Sequence, residues 1–112
     1  MEIKNLPDNV ISVTLSSSEP QIADELKELN ETVSQKSGCD VVVDFSYVEI
    51  INSSNISNLL LLRGFLSRHN RRLILYNVQT ITKCIFVVAG LTESFVFIDD
   101  MEDVLKIVQS SA

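Results

Sequence analysis

Four small polar residues in a row, Asn52-Ser53-Ser54-Asn55, follow an apolar run that ends at Asp44. A hydroxyl at the start of a helix is a favourable place for a phosphate, because free N–H groups and the helix dipole stabilise the anion. The same residue types are also good N-caps, since their side-chain oxygens accept from the first unpaired backbone N–H groups. Asp44 offers a second chemistry, that of a strand-end carboxylate accepting a phosphoryl group in a phosphoaspartate receiver-like domain. That reaction needs an acidic pair near the end of the first strand to hold Mg²⁺. The chain has Ser16-Ser17-Ser18 there, only Glu19 follows, and no late strand ends in a suitable lysine. A Ser–His–Asp relay would have to use His69, which lies between Arg68 and Asn70 and next to Arg71 and Arg72, without a Gly-x-Ser-x-Gly elbow. Cys39, Cys84 and His69 cannot complete a four-ligand zinc site, and three isolated glycines cannot form a glycine-rich phosphate cradle. No catalytic residue, metal or cofactor is expected.

The elements that position these residues alternate between strand and helix patterns. Residues 9–16 alternate Val10, Ser12 and Thr14 with Ile11, Val13 and Leu15, the pattern of a half-buried strand. Residues 2–5 suit a short strand beside it, turned by Leu6-Pro7-Asp8-Asn9. Ser17 or Ser18 can cap a helix with Pro20 in its first turn, carrying Ile22, Leu26, Leu29 and Val33 at helical spacing and ending at Gly38. Its acidic residues suit a solvated face. Residues 39–45 form a near-continuous apolar run, as in a central strand covered on both sides. A helix over 52–68, a strand over 73–76, a helix over 80–89 stopped by Gly90, a strand over 95–98 and a last helix capped by Asp99 or Asp100 complete the chain. Such alternation implies an α/β fold with a mixed, mostly parallel sheet of four or five strands. Right-handed crossovers place about four helices largely on one face.

The chain has 112 residues and a formal net charge of −6, which suits one domain over 1–112 and argues against a general nucleic-acid binder. No signal peptide or membrane span is visible, so a cytoplasmic protein with reduced thiols is expected, both cysteines being core or half-buried. The charge is uneven. Residues 1–31 carry seven acids and two bases, residues 32–92 three and six, and residues 93–112 five and one. The segment with the serine turn is thus locally positive in sequence, which would favour an acidic partner and tolerate an added phosphate. Arg68, His69, Arg71 and Arg72 are expected to complement the dipole at a helix end.

The stretch from Val41 to Val78, with Ala89-Gly90-Leu91 and the final acidic-capped helix, resembles the STAS domain, the fold of bacterial anti-sigma factor antagonists. The family form is a hydrophobic strand ending in Asp, then Asp-Ser-Ser-Gly opening a helix. The resemblance implies an interaction module rather than an enzyme, phosphorylated on the second serine of the turn by a partner anti-sigma factor that is a serine kinase. A phosphatase reverses this, and the unphosphorylated form sequesters the anti-sigma factor. Carried onto this sequence, the phosphoacceptor is Ser54, with Ser53 as alternate and Asp44, Asn52 and Asn55 in the switch loop. Asn52 stands in place of the acidic residue, and Asn55 adds a side chain where the family has glycine and a kinase approaches closely. These departures favour the alternative of a non-phosphorylated STAS module in a transport or signalling assembly. A monomer or weak dimer that neither binds nucleic acid nor inserts into a membrane is expected.

At 3.6 residues per turn, Ser54, Ser57, Asn58, Leu61, Phe65 and Arg68 fall on one side of this helix. Ile56, Leu59, Leu60 and Leu66 fall opposite as the expected core face, with the stem of Arg63 among them. Leu61 and Phe65 are expected to be exposed and, with Ser57, Asn58 and Arg68, to form the partner-binding surface.

Overall fold

The computed structural model describes residues 2–7, 9–35 and 38–109, so Asp8 of the expected first turn lies outside the described residues. The elements run β1 (Glu2–Leu6), β2 (Val10–Thr14), α1 (Gln21–Gln35), β3 (Asp40–Asp44), α2 (Ser53–Arg68), β4 (Leu73–Tyr76), α3 (Thr80–Val88), β5 (Val96–Ile98) and α4 (Met101–Gln109). The five strands lie in the order β1-β2-β3-β4-β5. β1 pairs antiparallel with β2, and the remaining pairs are parallel. The architecture is the expected mixed α/β sheet. Crossover helices force parallel pairing, whereas the short β1–β2 connection permits only a hairpin.

Strand periodicity divides the core into two layers. Ile11, Val13, Val41, Val43, Leu73 and Leu75 point to one face, where they pack with Ile22, Leu26 and Leu29 of α1, Leu59, Leu62 and Leu66 of α2, and Phe86 of α3. Val10, Val42 and Ile74 point to the other, under Val104 and Val108 of α4. Three helices therefore share one side and α4 alone covers the opposite one. β3 lies at the centre of the sheet, and Val41, Val42 and Val43 are all buried, which explains its unbroken apolar run. Gly90 stops α3 with a φ of +72°, a conformation an L side chain resists.

Four sequence expectations change. The inward residues of α2 are Asn55, Ile56, Leu59, Leu62 and Leu66, while Leu60 is only half-buried and Arg63 is exposed. Four consecutive leucines at 59–62 cover all directions around the helix, so periodicity alone did not identify which faced inward. Phe65 is half-buried against the core and stacks on His69 with ring centroids 4.3 Å apart, rather than standing free. Glu25 does not belong to a solvated face. It is buried, and its carboxylate accepts from the Ser16 N–H at 2.8 Å and the Ser16 hydroxyl at 2.6 Å. Cys39 is buried as expected, but Cys84 is exposed. Among the described residues, no helix is long and apolar enough to cross a membrane.

Candidate functional site

The site lies where the parallel strands end. Beyond β3, Asp44 closes an Asx turn: its Oδ1 accepts from the Ser46 N–H at 2.8 Å and the Ser46 hydroxyl at 2.5 Å. Asn77 Nδ2 donates to Ser46 Oγ at 2.9 Å, and Gln79 Nε2 donates to the Ser46 carbonyl at 3.3 Å, tying the loop to the segment after β4. Asn77 adopts a φ of +57°, which asparagine tolerates better than most residues. On the other side, Glu49 N–H donates to the Ser17 carbonyl at 2.9 Å. Val48 and Ile51 anchor the loop in the core while Tyr47 and Ile50 stay exposed. Asp44 thus builds the loop through Ser46, and no hydrogen bond joins it to Ser54 among the described residues.

Asn52 is the N-cap of α2, with extended backbone (φ −104°, ψ 173°), and its Oδ1 accepts from the Asn55 N–H at 3.0 Å. Ser53 and Ser54 follow as exposed residues of the first turn. Asn55 is fully buried, and its Nδ2 donates to the Glu19 carboxylate. The amide therefore points into the fold. It adds no bulk on the exposed face of the turn, which removes the steric objection that its sequence position raised.

Two grooves border α2, one along its later turns and one beside its first turn. Asn58, Leu61, Phe65 and Arg68 line one of about 320 Å³ against Lys27 and Asn30 of α1. Four of the five expected partner-binding residues meet there. Ser57, also exposed, lies outside that lining and donates its hydroxyl to the Ser53 carbonyl at 3.1 Å. Leu61 is 66% exposed, as the helix geometry predicted. The second groove, about 400 Å³, is almost wholly apolar and runs from Ser53 and Ile56 to Cys84, Ile85 and Val88. Ile81 and Val88 stand exposed along the same helix. Sequence reasoning missed this surface. Its signal was the run Ile85-Phe86-Val87-Val88, apolar on more sides than one core contact can bury.

The electrostatics also differ from the linear charge count. Glu19 reaches the first turn of α2 through Asn55, and Glu49 lies in the adjoining loop. The arginines gather at the other end of α2, so the serine turn is not the positive part of the surface. Arg71 pairs with buried Asp40 at 3.2 Å, and Arg72 donates to the Ile107 carbonyl in the last turn of α4. Those two side chains therefore serve a strand and another helix, not the dipole of α2. His69 does meet the end of α2, with Nδ1 2.8 Å from the Phe65 carbonyl. Among the described residues, no cluster of three metal-ligating side chains is present.

A profile of the STAS domain matches residues 4–104. No curated protein matches the chain by sequence. Among solved structures, a Thermotoga maritima protein described as a candidate anti-sigma factor antagonist superposes with a TM-score of 0.82 at 14% identity, covering 96% of this chain and 93% of its own. A structure of the stressosome, described as a signal integration and transduction hub, contains a chain with a TM-score of 0.72 at 14% identity, covering 96% of both. An RsbS variant from Moorella thermoacetica gives 0.73 at 14% identity, covering 96% and 95%. At such identities the likeness is one of fold. The profile match spans most of the chain, and the chain belongs to the STAS-domain family.

Proposed function

We propose that residues 1–112 act as a single cytoplasmic, non-enzymatic STAS module, a monomer or weak dimer, that binds an anti-sigma factor with serine-kinase activity and is switched by phosphorylation at Ser54. The observation that carries this is the exposure of Ser54 on a rigidly capped first turn, with both grooves opening from the same helix. A partner seated over the turn would cover Leu61 and the apolar wall of Ile56 and Val88. A phosphate on Ser54 introduces a charge of about −1.5 to −2 at that contact. Its own helix tolerates the charge through the N-terminal dipole, whereas Glu19 and any acidic partner surface oppose it. Asp44, Asn52 and Asn55 hold the turn in shape, Ser53 is the alternate acceptor, and a phosphatase would restore binding. The Thermotoga maritima neighbour described as a candidate anti-sigma factor antagonist supports the same role.

A non-phosphorylated STAS module within a signalling or transport assembly is the second reading, favoured by Asn52 in place of the family's Asp. Pull-downs from the native host with wild type, Ser54→Asp and Leu61→Glu separate the two. The switch predicts a partner retained by wild type and lost by both variants. Equal retention by wild type and Ser54→Asp contradicts the switch, and loss by Leu61→Glu alone points to the second reading.

A further inference from the structure

At the opposite end of the sheet from Ser54, a pocket of about 460 Å³ opens between the end of α2 and the starts of β4 and β5. Arg63, Arg71 and Arg72 line it, with Ser67 and Ser94 as neutral polar neighbours and Phe95 and Ile107 among its apolar walls. This volume is within the range of small-molecule sites, which combine apolar walls with a few convergent polar groups. We infer that this pocket binds a compact phosphate monoester carrying an apolar or ring-shaped body.

The charge balance supports an anion. Glu93 is the acidic residue of the lining, against three guanidinium groups. Asp40 beneath it takes a contact from Arg71 at 3.2 Å. The guanidinium groups of Arg63 and Arg72 have no carboxylate partner among the described residues: that of Arg72 donates to the neutral Ile107 carbonyl, while its backbone N–H donates to Asp40 at 2.8 Å. Each guanidinium has five donors in a fork that matches phosphate oxygens. A concave site walled by low-dielectric side chains focuses such a field even on a chain of net charge −6. Helix-dipole compensation does not explain Arg63, which lies inside α2, one turn before Ser67. The apolar walls favour a ligand with a body over bare phosphate, and the concave shape favours a small molecule over the flat face of an acidic protein.

The test is an ¹H–¹⁵N NMR titration of the full chain with phenyl phosphate, AMP and inorganic phosphate, and separately with a Glu-rich peptide, in wild type, Arg63→Gln and Arg63→Glu. The Arg63 side chain is exposed and makes no hydrogen bond among the described residues, so both variants are expected to fold, as amide dispersion will show. Saturable shifts at Ser67, Ser94 and Val96 are expected for the monoesters, with a Kd below about 1 mM. Affinity should fall about tenfold or more in Arg63→Glu, and the Ser53 and Ser54 amides should stay still. Response to both monoesters marks the shared phosphate chemistry, and response to one alone assigns the body. The inference is overturned by absence of saturable shifts, by wild-type affinity retained in both variants, by shifts centred on Ser53 and Ser54, or by shifts with the peptide alone.

Discussion

Leu61 and Leu62 are adjacent in sequence and opposite in consequence. Leu62 is 1% exposed and packs between α2 and the sheet, whereas Leu61 is 66% exposed at the edge of the α1–α2 groove. Truncating a buried leucine to alanine loses its transfer free energy and leaves a cavity, together about 3 kcal/mol. For a chain of 112 residues the unfolding entropy is about 0.24 kcal/mol/K, so Leu62→Ala should lower the melting temperature by roughly 12 °C. Leu61→Ala removes area already in water and should cost below about 0.5 kcal/mol, or roughly 2 °C. Parallel thermal melts followed by circular dichroism measure both. Equal losses, or the larger loss at Leu61, would refute the assignment of faces on α2 and with it the exposed groove.

Three further substitutions probe the turn and the helix it opens, each read by urea denaturation. Asn52→Ala deletes the acceptor of the Asn55 N–H and should cost about 1 kcal/mol. Asn55→Gly restores the family's glycine but removes a buried amide from Glu19 and puts glycine into a helix, so it should cost about 2 kcal/mol. No loss there would mean that Asn55 does not help hold the turn. Gly64→Ala should stabilise by about 0.5–1 kcal/mol, because a Cβ there meets only the Arg68 Nη1 at 3.6 Å and helix entropy improves.

What the sequence made legible was local. Val41-Val42-Val43 announced a strand covered on both faces, and Asn52 announced a cap. Gly90 announced a helix stop, and the helix repeat put Leu61 outside. What stayed hidden depended on contacts between distant segments. Nothing near Glu19 or Glu25 indicates that one reaches Asn55 and the other Ser16: the first pairing needs the segment before α1 to meet the start of α2, and the second needs α1 to fold back on the residues that follow β2. The four leucines at 59–62 left the inward pair undetermined until packing selected Leu59 and Leu62. Counting charges along the chain placed positive residues with the serine turn. α2 is about 24 Å long and separates them, with Glu19 at one end and the arginines at the other. Cys84 illustrates the same limit, since a small apolar residue in an apolar helix gives no sign that its side lacks a partner.

The most direct test of a Ser54-switched interaction is to isolate the protein from its native host, separate bound from free fractions, and map phosphorylation in each. The switch predicts phosphate on Ser54 in the free fraction, unmodified Ser54 in the partner-bound fraction, and no phosphorylation at this turn in Ser54→Ala. Phosphorylated Ser54 in the bound fraction, or a Ser54 never modified while binding is still regulated, would contradict it.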